Sequence, residues 1–175
     1  MNTLCFDFGN TRLKLAFFQN TKLIEVIVIE ADEIEIIDGF LKEFEPQKTI
    51  LSSVIDHNPG IETLLAEKTK FHKLNYLSKL PFTTPVGKPE TIGADRLALA
   101  AAAVYFFPKQ HNLVIGMANE IDGFINTYKE RYGNFNVHLT GGDLVYLAPH
   151  LKNQIFADPE LIFKGLFAIS EVNNQ

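Results

Sequence analysis

Three short stretches of this chain bring together side chains that suit chemistry on an anionic group. The first is Asp7-Phe8-Gly9-Asn10-Thr11, an acid at the end of an apolar run followed directly by a tight turn. Gly9 has no side chain, so backbone N–H groups there can approach a phosphate closely, and Asn10 and Thr11 add polar contacts. The same Gly-Asn pair is also an everyday two-residue hairpin turn, and both readings stand at this point. Asp7 alternates with Phe6 and Phe8, and an unpaired carboxylate at a strand end calls for a reason. The second stretch, Gly93-Ala94-Asp95-Arg96, opens an alanine-rich segment with an acid and a base. A carboxylate there can take a proton from a substrate hydroxyl, and the guanidinium can hold an anion by two parallel hydrogen bonds. A plain helix cap explains the acid equally well. The third is Thr140-Gly141-Gly142-Asp143, where paired glycines leave room for a flat base or ribose to lie on the backbone. An ordinary connection capped by Asp143 accounts for it too.

The elements that must position these residues follow from periodicity. Runs over Thr3 to Phe8, Arg12 to Phe18 and Leu23 to Ile29, separated by Gly9-Asn10 and Asn20-Thr21, predict a three-stranded antiparallel meander. Ile34, Ile37, Phe40, Leu41 and Phe44 recur at three and four, giving one helical face that Pro46 closes. Lys48 to Ser53 reads as a strand. Asn58 to Lys68 reads as a helix with Asn58 as N-cap and Pro59 at its first position. Three of the eight prolines fall within Pro81 to Glu90, which keeps that segment out of helix and marks a boundary: a first unit over 1–89 and a second over 90–175. In the second unit Gly93 to Phe107 is helical, Asn112 to Ile115 is a strand, and Met117, Ile121, Phe124, Ile125 and Tyr128 line a helix that Gly133 ends. Phe135 to Leu139 is the next strand, completing a parallel crossover, and Asp158-Pro159 starts a C-terminal helix.

Composition excludes several functions. The chain of 175 residues carries 16 Lys+Arg against 21 Asp+Glu, a formal charge of -5, so it has no global positive field for a nucleic acid backbone. Cys5 is the only cysteine, which rules out a disulfide framework within one chain and fits a reducing, cytoplasmic setting. The five histidines show no H-x-x-x-H spacing for a metal. The longest apolar stretch, Leu97 to Phe107, is about half of the ~20 residues that a membrane-spanning helix requires, so no membrane role is expected. Lys68, Lys70, Lys73 and Lys79 read as a solvated face.

The order of the motifs is more informative than any one of them. Asp-x-Gly-Asn-Thr stands at the start, then Pro-Glu-Thr-Ile-Gly-Ala-Asp-Arg-Leu-Ala over Pro89 to Ala98, then Thr-Gly-Gly-Asp. Together they resemble the type III pantothenate kinases, in the superfamily of actin and the acetate and sugar kinases. The resemblance implies an α/β fold of two ribonuclease-H-like (actin-like) lobes with mixed sheets. It also implies ATP-dependent phosphorylation of pantothenate to begin coenzyme A synthesis, a homodimer, and the use of Mg2+ and a monovalent cation, K+ or NH4+. By motif, Asp7, Phe8, Gly9, Asn10 and Thr11 resemble the first phosphate loop, followed by Arg12, Leu13 and Lys14, with Asp7 a candidate ligand for Mg2+. Gly93, Ala94, Asp95 and Arg96 resemble the pantothenate-binding element, with Asp95 as catalytic base. Thr140, Gly141 and Gly142 resemble the adenosine-side motif.

One departure stands out. Family members carry a second phosphate loop, further strands and a glycine-rich element after the strand that matches Asn112 to Ile115. Here Ile115 runs through Gly116 straight into the Met117 helix. The expectation is a second lobe shortened near 115–117, lacking the monovalent-cation ligand. The alternative is a non-catalytic actin-like module that binds nucleotide or a partner.

Overall fold

The computed structural model describes residues 1–9, 12–84, 86–115, 121–142, 144–151 and 153–173. Strands β1 (Asn2–Phe8), β2 (Leu13–Gln19) and β3 (Lys22–Ile29) form the expected antiparallel meander. Helix α1 (Ile34–Phe44) leads to β4 (Lys48–Ser53), which returns parallel to β1. Helix α2 (Pro59–Lys68) starts at the expected cap, where Asn58 Oδ1 accepts from the Gly60 N–H at 2.9 Å. A strand absent from the sequence reading, β5 (Lys70–Lys73), follows in parallel with β4, and the five-stranded mixed sheet runs β3-β2-β1-β4-β5.

Between Pro81 and Glu90 the expectation of no helix needs one correction, a single 3-10 turn over Pro89–Thr91. Helix α3 (Ala94–Phe106), β6 (Asn112–Ile115), α4 (Ile121–Tyr132) and β7 (Asn136–Leu139) come next, with β6 and β7 parallel. Met117 and Gly116, on which the expected start of α4 and the junction rest, lie outside the described residues. The short α5 (Leu144–Leu147) follows the Thr140 to Asp143 stretch as the apolar run there suggests, β8 (Phe156–Ala157) is an addition, and α6 (Leu161–Asn173) closes the chain. Asp158 holds the turn that leads into α6, its Oδ1 accepting from the Glu160 N–H at 3.1 Å.

Each face of the first sheet is covered. Phe6, Phe8, Leu15 and Leu51 pack under Ile37 and Leu41 of α1 and Ile61 and Leu65 of α2. On the other face, Cys5, Ala16, Phe18 and Ile50 meet Ala98 and Ala101 of α3 and Phe163, Leu166 and Phe167 of α6, and Phe18 stacks on Phe167 with centroids 4.7 Å apart. Two helices from beyond residue 90 therefore complete the core of the sheet formed before it. The strands up to Lys73 and those from Asn112 form two separate sheets.

The second sheet, β6-β7-β8, is all parallel and repeats the neighbour order and direction of β1, β4 and β5. In the first sheet β2 and β3 intervene in the chain between β1 and α1. Among the described residues nothing intervenes between β6 and α4, and the outer edge of β6 has no strand partner.

Candidate functional site

In sheets with parallel strands, ligands bind beyond the carboxyl ends of those strands, and here the motifs lie there. Asp7 sits one residue before the end of β1. Lys14 is its register partner on β2 and Ser52 its register partner on β4, so all three point to the face that α3 and α6 cover. The first turn of α3 brings Asp95 to the same place. Burial pushes the Asp7 carboxyl up to about 6 from its ordinary 3.8; the Lys14 charge works against this, and the Asp95 charge adds to it. The first and second motifs, 86 residues apart at Gly9 and Asp95, thus share one electrostatic site.

The turn after β1 bears on one group of the expected phosphate loop. Gly9 donates its N–H to the Arg12 carbonyl at 3.2 Å, so that group is spent inside the turn and is not offered to a phosphate. That bond continues the β1–β2 register one step past the Phe8–Leu13 pair, as in a hairpin. Asn10 and Thr11 lie outside the described residues. Arg12 is exposed, and Leu13 begins β2 opposite Phe8.

At α3 Asp95 stands in the first helical turn, where the helix dipole favours an acid, and its carboxylate makes no hydrogen bond among the described residues. The helix starts at Gly93, whose carbonyl accepts from the Arg96 N–H at 3.1 Å and the Leu97 N–H at 3.2 Å. Asp95 and Arg96 stand at one end of a cleft of about 830 Å3. One wall is the flank of α3, with Leu99, Ala103 and Val104; the other is Gln110, His111, Asn112 and Val114, and Phe82 closes the lining. Such a volume holds a small organic molecule, with acid and base at one end and amide side chains along the wall.

The third motif stands apart. Thr140 is buried at the end of β7, and Gly141 adopts φ 118°, a conformation that only glycine takes readily. None of Thr140, Gly141 and Gly142 lines the cleft along α3. Asp143 lies outside the described residues. Sequence reasoning missed Ser52 and the wall formed by Gln110 to Asn112. A serine at the carboxyl end of a parallel strand, level with Asp7, was the signal for the first; nothing local marked the second.

A family model for type III pantothenate kinase matches residues 3–119. Among curated proteins, the type III pantothenate kinase of Flavobacterium johnsoniae is 27% identical over 231 aligned positions, taking in 93% of this chain and 95% of that protein. That of Christiangramia forsetii is 27% identical over 238 positions, with 97% and 98% covered. That of Bacteroides fragilis is 27% identical over 241 positions, with 98% of each covered. These alignments are longer than the 175 residues of the chain, so each relative has dozens of residues with nothing opposite them here.

Proposed function

The chain belongs to the type III pantothenate kinase family, and from that premise we propose that its chemistry is transfer of the γ-phosphoryl group of ATP to the hydroxyl of pantothenate, the opening step of coenzyme A synthesis. The observation that carries this reading is that Asp95, which lines the cleft along α3, lies within electrostatic reach of Asp7, the register partner of Lys14. Phosphoryl transfer asks little covalent chemistry of a protein and much positioning and charge neutralisation. Asp95 takes the proton from the attacking hydroxyl. Arg96 holds the carboxylate of pantothenate by paired hydrogen bonds, and the rest of the substrate lies along the flank of α3. Lys14 offsets phosphate charge. Thr140, Gly141 and Gly142 are assigned to the adenosine side.

The residues present fit a Mg2+ ion. The buried Asp7 carboxyl, its charged form disfavoured by burial and by the Asp95 charge, gains from a divalent cation beside it, and Mg2+ takes only one or two carboxylates and fills its remaining positions with water and phosphate oxygens. Asp7, with Asp95 facing it, would hold the ion, which when bound neutralises charge on the transferring phosphoryl group. No residue of this chain is assigned to K+ or NH4+.

We place the chain in the actin-like superfamily, with lobes divided at 89/90 in terms of strands: the five-stranded sheet before, the three-stranded sheet after. The shortfall against the relatives is assigned between β6 and α4, where counterparts of β2 and β3 would stand. Homodimer formation is assigned to the full-length family form, and the working compartment to the cytoplasm. Among the described residues no helix is long and apolar enough to cross a membrane. That same shortfall favours a second reading, a module that binds a nucleotide or partner without catalysis. Incubating the purified chain with ATP, Mg2+ and pantothenate and weighing the products by mass spectrometry separates the two: phosphopantothenate supports the kinase, and nucleotide binding without product supports the module.

A further inference from the structure

Three buried polar side-chain atoms have no hydrogen-bond partner among the described residues: Thr3 Oγ1, Ser52 Oγ and the His138 Nδ1. Thr3 lies at the amino end of β1, away from the ligand edge, and His138 is enclosed between Phe107 and Phe156. Ser52 is different. It is 0% exposed, it sits level with Asp7 on the neighbouring parallel strand, and it shares with Ile50 the face that α3 and α6 cover. Parallel neighbours in register stand one strand spacing apart, about 4.8 Å, with side chains side by side. A hydroxyl enclosed beside a carboxylate, with nothing to bond, is a cost that the fold alone does not recover.

We infer that Ser52 is a further binding residue of the site: its hydroxyl hydrogen-bonds a water of the hydrated divalent cation that Asp7 holds. The inference rests on the reading of Asp7 given above. A cation that keeps its waters presents them to whatever lies beside its carboxylate ligand, and Ser52 Oγ is the polar atom in that position. A bare phosphate oxygen would use the same hydroxyl as a donor, but the Asp7 carboxylate next to it repels such an anion.

The test uses the full chain, the variants Ser52→Ala and Ser52→Cys, and amide NMR titrations with Mg2+ alone. Thermal denaturation runs beside them. Loss of one hydrogen bond weakens Mg2+ binding roughly fivefold in both variants. Meanwhile the melting temperature of Ser52→Ala stays level or rises, because an unpaired buried hydroxyl has been removed. Unchanged Mg2+ affinity, or a lower melting temperature without loss of affinity, overturns the inference. So does a loss confined to ATP titrated in chelator, which would hand the hydroxyl to a phosphate oxygen. A parallel Asp7→Asn titration identifies which reading fails: if the wild type ignores Mg2+, or binds it as well without the Asp7 carboxylate, the Asp7 reading falls and this one falls with it.

Discussion

The carboxylate of Asp95 occupies the space that a side chain at Gly93 would fill: a Cβ built on Gly93 stands 2.5 Å from Asp95 Oδ1. The obstruction is the tip of a flexible side chain, so a substitution displaces the carboxylate rather than the backbone. Gly93→Ala should therefore cost about 1 kcal/mol or less in stability, the loss expected at a helix N-cap. It should lower turnover about 10²-fold by moving the base. Chemical denaturation and the phosphotransfer assay on the same preparation check both halves.

Gly165 sets the approach of α6 to α3. A Cβ there would lie 1.7 Å from the Ala98 carbonyl oxygen, a backbone atom inside the core of the first sheet. Gly165→Ala is expected to destabilise by about 3 kcal/mol or more, since two helices must separate to admit one methyl group. Gly39, in the middle of α1, meets nothing within 4 Å, and Gly39→Ala should stabilise by up to about 1 kcal/mol. Urea denaturation of the pair measures the contrast.

These two helices also mark where sequence reading stopped. The face formed by Ile34, Ile37, Leu41 and Phe44 announces α1 through its own spacing, and so do the strands of the meander. Nothing local says that Ala98 and Phe167, from opposite ends of the second half, will seal a sheet built from the first. Strand β5, Lys-Phe-His-Lys, has lysines at both ends and no apolar run, as suits a sheet edge guarded by charge, and so it escaped notice. In the site, Asp7 and Asp95 were legible as motif residues, whereas their meeting depends on how α3 docks. Ser52 carried no local mark because serine in a strand is ordinary; its meaning comes from its register with Asp7.

Asp7 makes stability depend on pH in the direction opposite to a salt-bridged acid. Burial raises its pKa from 3.8 to about 6 in the folded chain. Its contribution is therefore complete below about pH 4, where it is protonated folded and unfolded, and is lost as pH rises through about 6. The loss at neutral pH is about 2–3 kcal/mol. Asp7→Asn should be more stable than the parent at pH 7, level with it near pH 4, and weaker in binding Mg2+. Melting temperatures across pH 4–8 test the sign.

ATP with Mg2+ should bind this chain weakly, with a Kd above about 100 μM, or about -5 kcal/mol. The Gly9 N–H is consumed in its own turn, and the relatives' extra residues have no counterpart here. Titration calorimetry measures it. Micromolar affinity would mean that the residues present suffice for the nucleotide.

The central claim is that Asp95 is the base for phosphoryl transfer, and Asp95→Asn tests it most directly. Asparagine keeps the shape of the side chain but cannot take a proton from the substrate hydroxyl. The measurement is turnover of pantothenate with ATP and Mg2+ in a form carrying the relatives' additional segment between β6 and α4, with thermal denaturation alongside. The account predicts a loss of roughly 10²–10⁴ in kcat at nearly unchanged melting temperature. Unchanged turnover in Asp95→Asn would contradict it.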